Sequence, residues 1–301
     1  MSLVAPRAHP PAADAPLGGP EPLIDVHAHF LHAGCGRTEW EAVNAARFRA
    51  GARIGISWHV ASILGTFGHA SPTYFPSPAD VTRGNDEMLA LQAREGGRVR
   101  GYVAVNPNHT AHALAEIERG VAAGLAGLKL LASRRADDPL LDPLIEAAGH
   151  HGLPVLHHIW QHRTRHWPGQ DISDGADLVR LAERHPGVDF ILAHIGGGGD
   201  YAHTFAAVED APNVLLDLSG SGVDRGMLDQ ALEAVGPGRL LWGADITLET
   251  GLAKLRALEV VGLPPADLAA VRWRNAARIF PAGTFAGLEA GAATSAARGR
   301  A

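Results

Sequence analysis

Leu23-Ile24-Asp25-Val26-His27-Ala28-His29-Phe30 reads as a short apolar strand that closes on two histidines. Alternate residues of a strand point to one side, so the two imidazoles should face one space, about 7 Å apart along the backbone. That spacing suits a single metal ion. In a chain with 17 histidines a lone His-x-His is weak. The pair gains weight because later apolar runs also close on histidine or aspartate, at His157-His158, His194 and Asp245.

Around these runs the chain alternates. Short stretches rich in Val, Ile and Leu are expected as strands near 23–28, 53–63, 99–106, 126–131, 153–158, 188–195, 213–218 and 239–245. Between them, 39–50, 77–95, 110–124, 139–151, 173–185, 200–210, 223–235 and 248–258 fit amphipathic helices. Gly124, Gly152 and Gly236 stand where helices should stop. Strands alternating with helices argue for βα units and a parallel sheet. Eight such units, apolar on both strand faces, close most economically into a single (β/α)8 TIM barrel of the α/β class. An open doubly wound sheet is the competitor, but no Gly-x-Gly-x-x-Gly opens a helix after the first strand.

The chain of 301 residues is 46% apolar and 19% charged, enough for a sizeable core and too apolar for a disordered chain. One domain is expected over 21–283, with disordered tails at 1–20 and 284–301 where Pro, Ala and Gly dominate. A net charge of −6 gives no global attraction to nucleic acid or to anionic membranes. No apolar stretch is long enough to span a bilayer, and Cys35 is the single cysteine, so a cytoplasmic setting is expected. The expected partner is a small, anionic molecule, with a homodimer allowed.

In a barrel of this kind the active site forms at the carboxyl ends of the strands. His27 and His29 end the first strand, His157 and His158 the fifth, His194 the sixth and Asp245 the eighth, so all should meet at one mouth. Histidine with aspartate is the ligand chemistry of zinc, with manganese, iron or cobalt also compatible. A buried histidine satisfied by a backbone carbonyl explains any one of these positions, but four coincident strand ends are hard to explain that way.

Several stretches extend the pattern: IDVHAHF at 24–30, GYVAVNP at 101–107, AGLKL at 126–130, GLPVLHHIW at 152–160, LAHIGGG at 192–198, NVLLDLSG at 213–220, LWGADI at 241–246 and RNAARIF at 274–280. In this order they resemble the amidohydrolase superfamily, in its branch of small metal-dependent TIM-barrel hydrolases and decarboxylases related to aminocarboxymuconate-semialdehyde decarboxylase. The resemblance implies that His27, His29, a fifth-strand histidine and Asp245 hold one divalent metal, while His194 polarises substrate or assists proton transfer. It selects His158, four residues after Pro154, over His157 as the fifth-strand ligand. Lys129 ends the fourth strand, where some superfamily members carry a carboxylated lysine between two metals; one metal is expected here. His32, His59 and His69 lie near enough to suggest extra ligands, but ordinary packing is the preferred reading.

The expected chemistry is hydrolysis of a small carboxylated ester, lactone or amide by a metal-activated water, with Asp245 as general base. Decarboxylation is the close alternative, and a two-iron oxygenase a more distant one. The segment Trp160-Gln161-His162-Arg163-Thr164-Arg165 concentrates cations and an aromatic wall after the fifth strand. Arg163 and Arg165 are candidates to grip an anionic substrate and Trp160 to pack on it.

Overall fold

The structure, a computed structural model, describes residues 21–63, 74–159, 170–195, 201–220, 225–245 and 248–288. Eight parallel strands run in chain order: β1 (Ile24–His29), β2 (Trp58–Ser62), β3 (Val99–Val105), β4 (Gly127–Leu130), β5 (Val155–His158), β6 (Phe190–Ala193), β7 (Val214–Asp217) and β8 (Leu240–Leu241). Closure occurs between the last strand and the first. Val26 N–H donates to Trp242 O at 3.1 Å, and a parallel bridge pairs Ala28 with Asp245. The sheet is therefore a (β/α)8 barrel, not an open doubly wound sheet.

Helices α1 (Trp40–Ile54), α2 (Pro78–Arg94), α3 (Thr110–Ala122), α4 (Asp142–His150), α5 (Gly175–Arg184), α6 (Tyr201–Val208), α7 (Arg225–Val235) and α8 (Leu248–Val261) lie between and after the strands. Their boundaries follow local chemistry. Ser77 and Asp80 form a capping box at the start of α2, with Pro78 in its first turn, and Asp174 with Asp177 repeats the device on α5. Gly124, Gly152 and Gly236 all have positive φ, as helix stops there require. The start of β2 differs from expectation. Residues 53 and 54 belong to α1, not β2, because the left-handed Gly55, φ 88°, ends the helix by returning its N–H to Gly51 and Ala52.

The strand faces sort into two layers. Val103, Leu128, Val155, Phe190, Leu216 and Leu240 face the helices, whereas Val60, Tyr102, Leu156, Ile191, Leu215 and Leu241 fill the barrel interior. The interior is sealed from below by a segment that sequence periodicity did not anticipate: α9 (Pro265–Ala269), a π-helical stretch at Ala270–Arg274 and α10 (Asn275–Ile279). Trp273, Phe280 and Phe285 pack into the interior cluster, with Phe280 beside Tyr102 and Phe285 beside Trp58. Packed chain thus runs past 283 to residue 288, and Phe285 is buried.

A bulge in β1 decides what the mouth contains. The β1–β2 register shifts between Asp25 and Ala28. Ile24 and Val26 belong to the interior cluster, while Ala28 and Phe30 belong to the helix-facing one. Strict alternation from Ile24 and Val26 would turn His27 and His29 outward; the extra residue resets the parity so that both point in. The polar groups it frees are all satisfied. Asp25 Oδ1 accepts from His27 N–H at 3.1 Å, the Tyr102 hydroxyl donates to Val26 O at 2.7 Å, and Asp245 N–H donates to His27 O at 2.6 Å.

Candidate metal centre

His27 and His29 reach the mouth from β1, and Asp245 follows β8. Their ligand atoms lie within 4.8 Å of one another. His27 Nε2 and His29 Nε2 are 3.1 Å apart, and Asp245 Oδ1 is 3.8 Å from the first and 3.4 Å from the second. Two atoms each about 2.1 Å from one cation can be no more than about 4.2 Å apart, and all three separations meet that limit.

The other ring nitrogens explain why Nε2 faces the cluster. His27 Nδ1 lies 2.7 Å from Asp217 Oδ2, and His29 Nδ1 lies 3.1 Å from Ser62 O. Both partners accept, so both Nδ1 atoms carry the proton and both Nε2 lone pairs point into the cluster. Two such lone pairs at 3.1 Å repel unless a positive charge lies with them. Lys129 supplies part of that charge, with Nζ 3.1 Å from His27 Nε2. The two Nε2 lone pairs and the carboxylate together are the donor set that a divalent cation takes.

Burial sets the electrostatics. Desolvation holds His27 well below the usual imidazole range, with the Lys129 charge adding to the effect, and holds His29 at about 4. Burial likewise lowers His194 and lowers Lys129 to about 8. At neutral pH the imidazoles are neutral, the form that binds a metal. For Asp245, burial alone would raise the carboxyl. The facing His27, His29, His194 and Lys129 outweigh it and hold the group well below the usual carboxylate range. Asp245 also adopts φ 55°, in the left-handed region that aspartate tolerates better than most residues.

His194 follows β6, its ring stacked on that of His27 at 5.6 Å and its Nε2 3.9 Å from Asp245 Oδ2. His158 comes next along the wall, its ring 5.0 Å from that of His194. It lines the same mouth but is not in the three-residue cluster. The two strand-five histidines face opposite ways. Leu156, two residues before His158, lies in the interior cluster, whereas His157 lies on the helix-facing side with Val155, where α5 supplies Asp177. His157 Nδ1 engages His158 O at 2.9 Å, and its Nε2 has no hydrogen-bond partner among the described residues.

Other expectations resolve more simply. His59 turns outward to pair with Asp25 at 3.1 Å between Phe30 and Phe48, and His32 packs in the loop after β1, 4.0 Å from Glu87. Trp160, Arg163, Arg165 and His69 lie outside the described residues.

Several residues that the sequence pattern did not single out support the cluster. Asp217, pushed up to about 6 by burial, ends β7 and is held by the backbone and hydroxyl of Ser219. It also explains Gly243, where a Cβ would collide with the Asp217 carboxylate and press on His27. Arg47 of α1 donates to Asp245 O at 3.0 Å. Lys254 of α8, lowered to about 8 by burial, donates to Gly220 O. Asp217, like Asp245, closes an apolar run and so carries the same mark in the sequence, whereas Arg47 and Lys254 reach in from helices and carry none.

A closed parallel barrel whose strand ends gather two neutral imidazoles and an ionised carboxylate is the architecture of TIM-barrel metal enzymes. The chain matches the Amidohydrolase family over residues 24–282 and belongs to it. No curated protein matches it. Among solved structures it is similar to 5-carboxyvanillate decarboxylase LigW from Sphingomonas paucimobilis, with 20% identity, TM-score 0.63 and coverage of 86% of this chain and 98% of that one. It is also similar to 2,6-dihydroxybenzoate decarboxylase from Rhizobium, with 15% identity, TM-score 0.65 and coverage of 86% and 98%. A third is the dihydroxybenzoic acid decarboxylase from Polaromonas, solved with manganese and the inhibitor 2-nitroresorcinol, with 17% identity, TM-score 0.64 and coverage of 86% and 96%. At these identities the likeness is one of fold. Among the described residues no helix is long and apolar enough to cross a membrane.

Proposed function

We propose that this chain is a metal-dependent hydrolase of a small, anionic ester, lactone or amide. The observation that carries the reading is the place of Asp245: an ionised carboxylate 3.4 Å from His29 Nε2 on one side and 3.9 Å from His194 Nε2 on the other. His27, His29 and Asp245 would hold one divalent cation, with His158 beside them on the same wall. Zinc is the ion this donor set favours, and manganese suits it as well. When bound, such an ion polarises the oxygen under attack and makes water acidic enough to lose a proton near pH 7.

Asp245, ionised at neutral pH and facing both His29 and His194, is placed to accept a proton, and passing it to the leaving group completes the cycle. His194, neutral because it is buried, can donate a hydrogen bond to the oxygen that gains charge. Lys129 adds positive charge to the floor of the site and favours an anionic substrate.

Decarboxylation of a small aromatic acid is the second reading, favoured by the activities of the similar solved structures and by the line of flat rings that walls the mouth. Loading the chain with zinc or manganese and screening carboxylated aromatic, ester and lactone compounds separates the two, because only one releases carbon dioxide. His27→Ala combined with His29→Ala abolishes metal uptake on either reading. Asp245→Asn should keep most of the metal and lose turnover; an aspartate variant as active as the wild type would remove the proposed proton acceptor.

A further inference from the structure

The rings of His27, His194 and His158 form a continuous line along the mouth, and a fourth ring extends it. Tyr74, in the segment between β2 and α2, has its ring 5.2 Å from that of His158 at an interplanar angle of 40°. It is held from behind, since the Ser133 hydroxyl after β4 donates to its carbonyl. Its own phenolic hydroxyl has no hydrogen-bond partner among the described residues. The side chain is half-buried, and its hydroxyl lies within the field of the Asp245 carboxylate, which together with burial raises it above the usual phenol range. A carbonyl held by Ser133, a ring against a site histidine and an O–H with no partner among the described residues together describe a donor prepared for something that enters the mouth. The protonated phenol donates to oxygen acceptors and repels nothing anionic.

We propose that Tyr74 contacts the substrate directly, its ring walling the site beside His158 and its O–H donating to an oxygen of the anionic molecule bound there. This rests on the proposal that the cluster of His27, His29 and Asp245 holds a cation. The phenol would bind the end of the substrate remote from His27, so that the oxygen it takes differs from the one His194 serves. It also gives the site a selective element, because an analogue lacking that oxygen leaves the hydroxyl unpaired.

The test uses the full chain loaded with manganese and titrated with 2-nitroresorcinol by calorimetry, with manganese affinity measured in parallel. Tyr74→Phe retains the ring on His158 and should weaken 2-nitroresorcinol about tenfold, the usual effect of losing one hydrogen bond to a charged group, with manganese affinity unchanged. Tyr74→Leu, which also removes the wall, should weaken it further. Equal affinity of wild type and Tyr74→Phe overturns the assignment. Parallel loss of manganese and 2-nitroresorcinol overturns it too, by showing that the residue only supports the fold. A chain that takes up no manganese refutes instead the reading on which the assignment rests, whereas a manganese-loaded wild type that does not bind the compound overturns the assignment itself.

Discussion

Asp245 donates its main-chain N–H to the carbonyl of His27 at 2.6 Å, so the carboxylate after β8 and the first imidazole of β1 are fixed to each other by the seam that closes the barrel. Their side chains approach to 3.8 Å on the inner side of the same seam. Distance in sequence is therefore irrelevant to the precision of the pair. It is set by strand closure, which places both residues on the paired scaffold and not on free loops.

Arg47 holds the opposite side of this link. Its guanidinium donates to Asp245 O at 3.0 Å and lies over the Phe30 ring at 5.7 Å. Arg47→Met keeps an apolar stem and removes the donor, so Asp245 loses a restraint on its left-handed backbone. We expect stability to fall by about 1 kcal/mol. Manganese affinity should fall with it, and calorimetric titration showing wild-type affinity would mean that the seam alone positions Asp245.

Asp217 fixes the tautomer of His27 through the 2.7 Å contact at Nδ1. Asp217→Asn preserves shape but offers an amide that can turn either its oxygen or its NH2 to the ring, so Nε2 no longer reliably presents its lone pair. Partners of this kind are worth about 10- to 100-fold in metal affinity. Competition against a chromophoric chelator measures the loss, and an unchanged affinity would show that Ser219, 3.1 Å from the same nitrogen, suffices.

The sequence made the order of elements legible because buried parallel strands are apolar on both faces and helices are not. It also disclosed His27, His29, His194 and Asp245, because a polar residue closing an apolar run has few reasons to be there. The β1 bulge left no trace: the identities of residues 24–30 fit strict alternation as well as the shifted register, and only the packing of Ile24 and Val26 inside with Ala28 outside reveals it. Nor was the floor visible. Trp273, Phe280 and Phe285 belong to segments too short for helical periodicity to identify, and their role follows from the open lower end of the barrel they fill. The start of β2 was misplaced because Ile54 and Ile56 extend its apolar run backward, although Ile54 packs as the last residue of α1.

Tyr102 tests the bulge directly. Its hydroxyl is the donor to Val26 O, while its ring packs 5.9 Å from Phe280. Tyr102→Phe keeps the ring and leaves a buried carbonyl unpaired, which costs about 1–3 kcal/mol. The urea midpoint should fall accordingly, and metal affinity should fall because the same bulge turns His27 inward. A midpoint equal to that of the wild type would show that Val26 O finds another donor.

Glu116 gives a pH dependence remote from the metal cluster. It ties three elements together: Asn85 of α2 donates to Oε2 at 2.8 Å and also bonds β3 at Ala104, Thr82 donates to Oε1 at 3.2 Å, and Arg119 of α3 donates to both oxygens. Burial works to raise this carboxyl, but the hydrogen bonds from Arg119, Asn85 and Thr82 outweigh it and hold it below its ordinary 4.5. A carboxyl lowered on folding stabilises the native state fully above its unfolded value and loses that contribution as pH falls through its folded value. Glu116→Gln replaces one acceptor oxygen by an NH2 that faces donors, so at pH 7 it should cost about 1–3 kcal/mol. The gap between variant and wild type should stay constant from about pH 7 to 5, begin to close near 4.5 and narrow further below it. Urea midpoints measured across that range decide the matter, because a gap that persists undiminished at about pH 3 would assign the loss to packing and not to the charge.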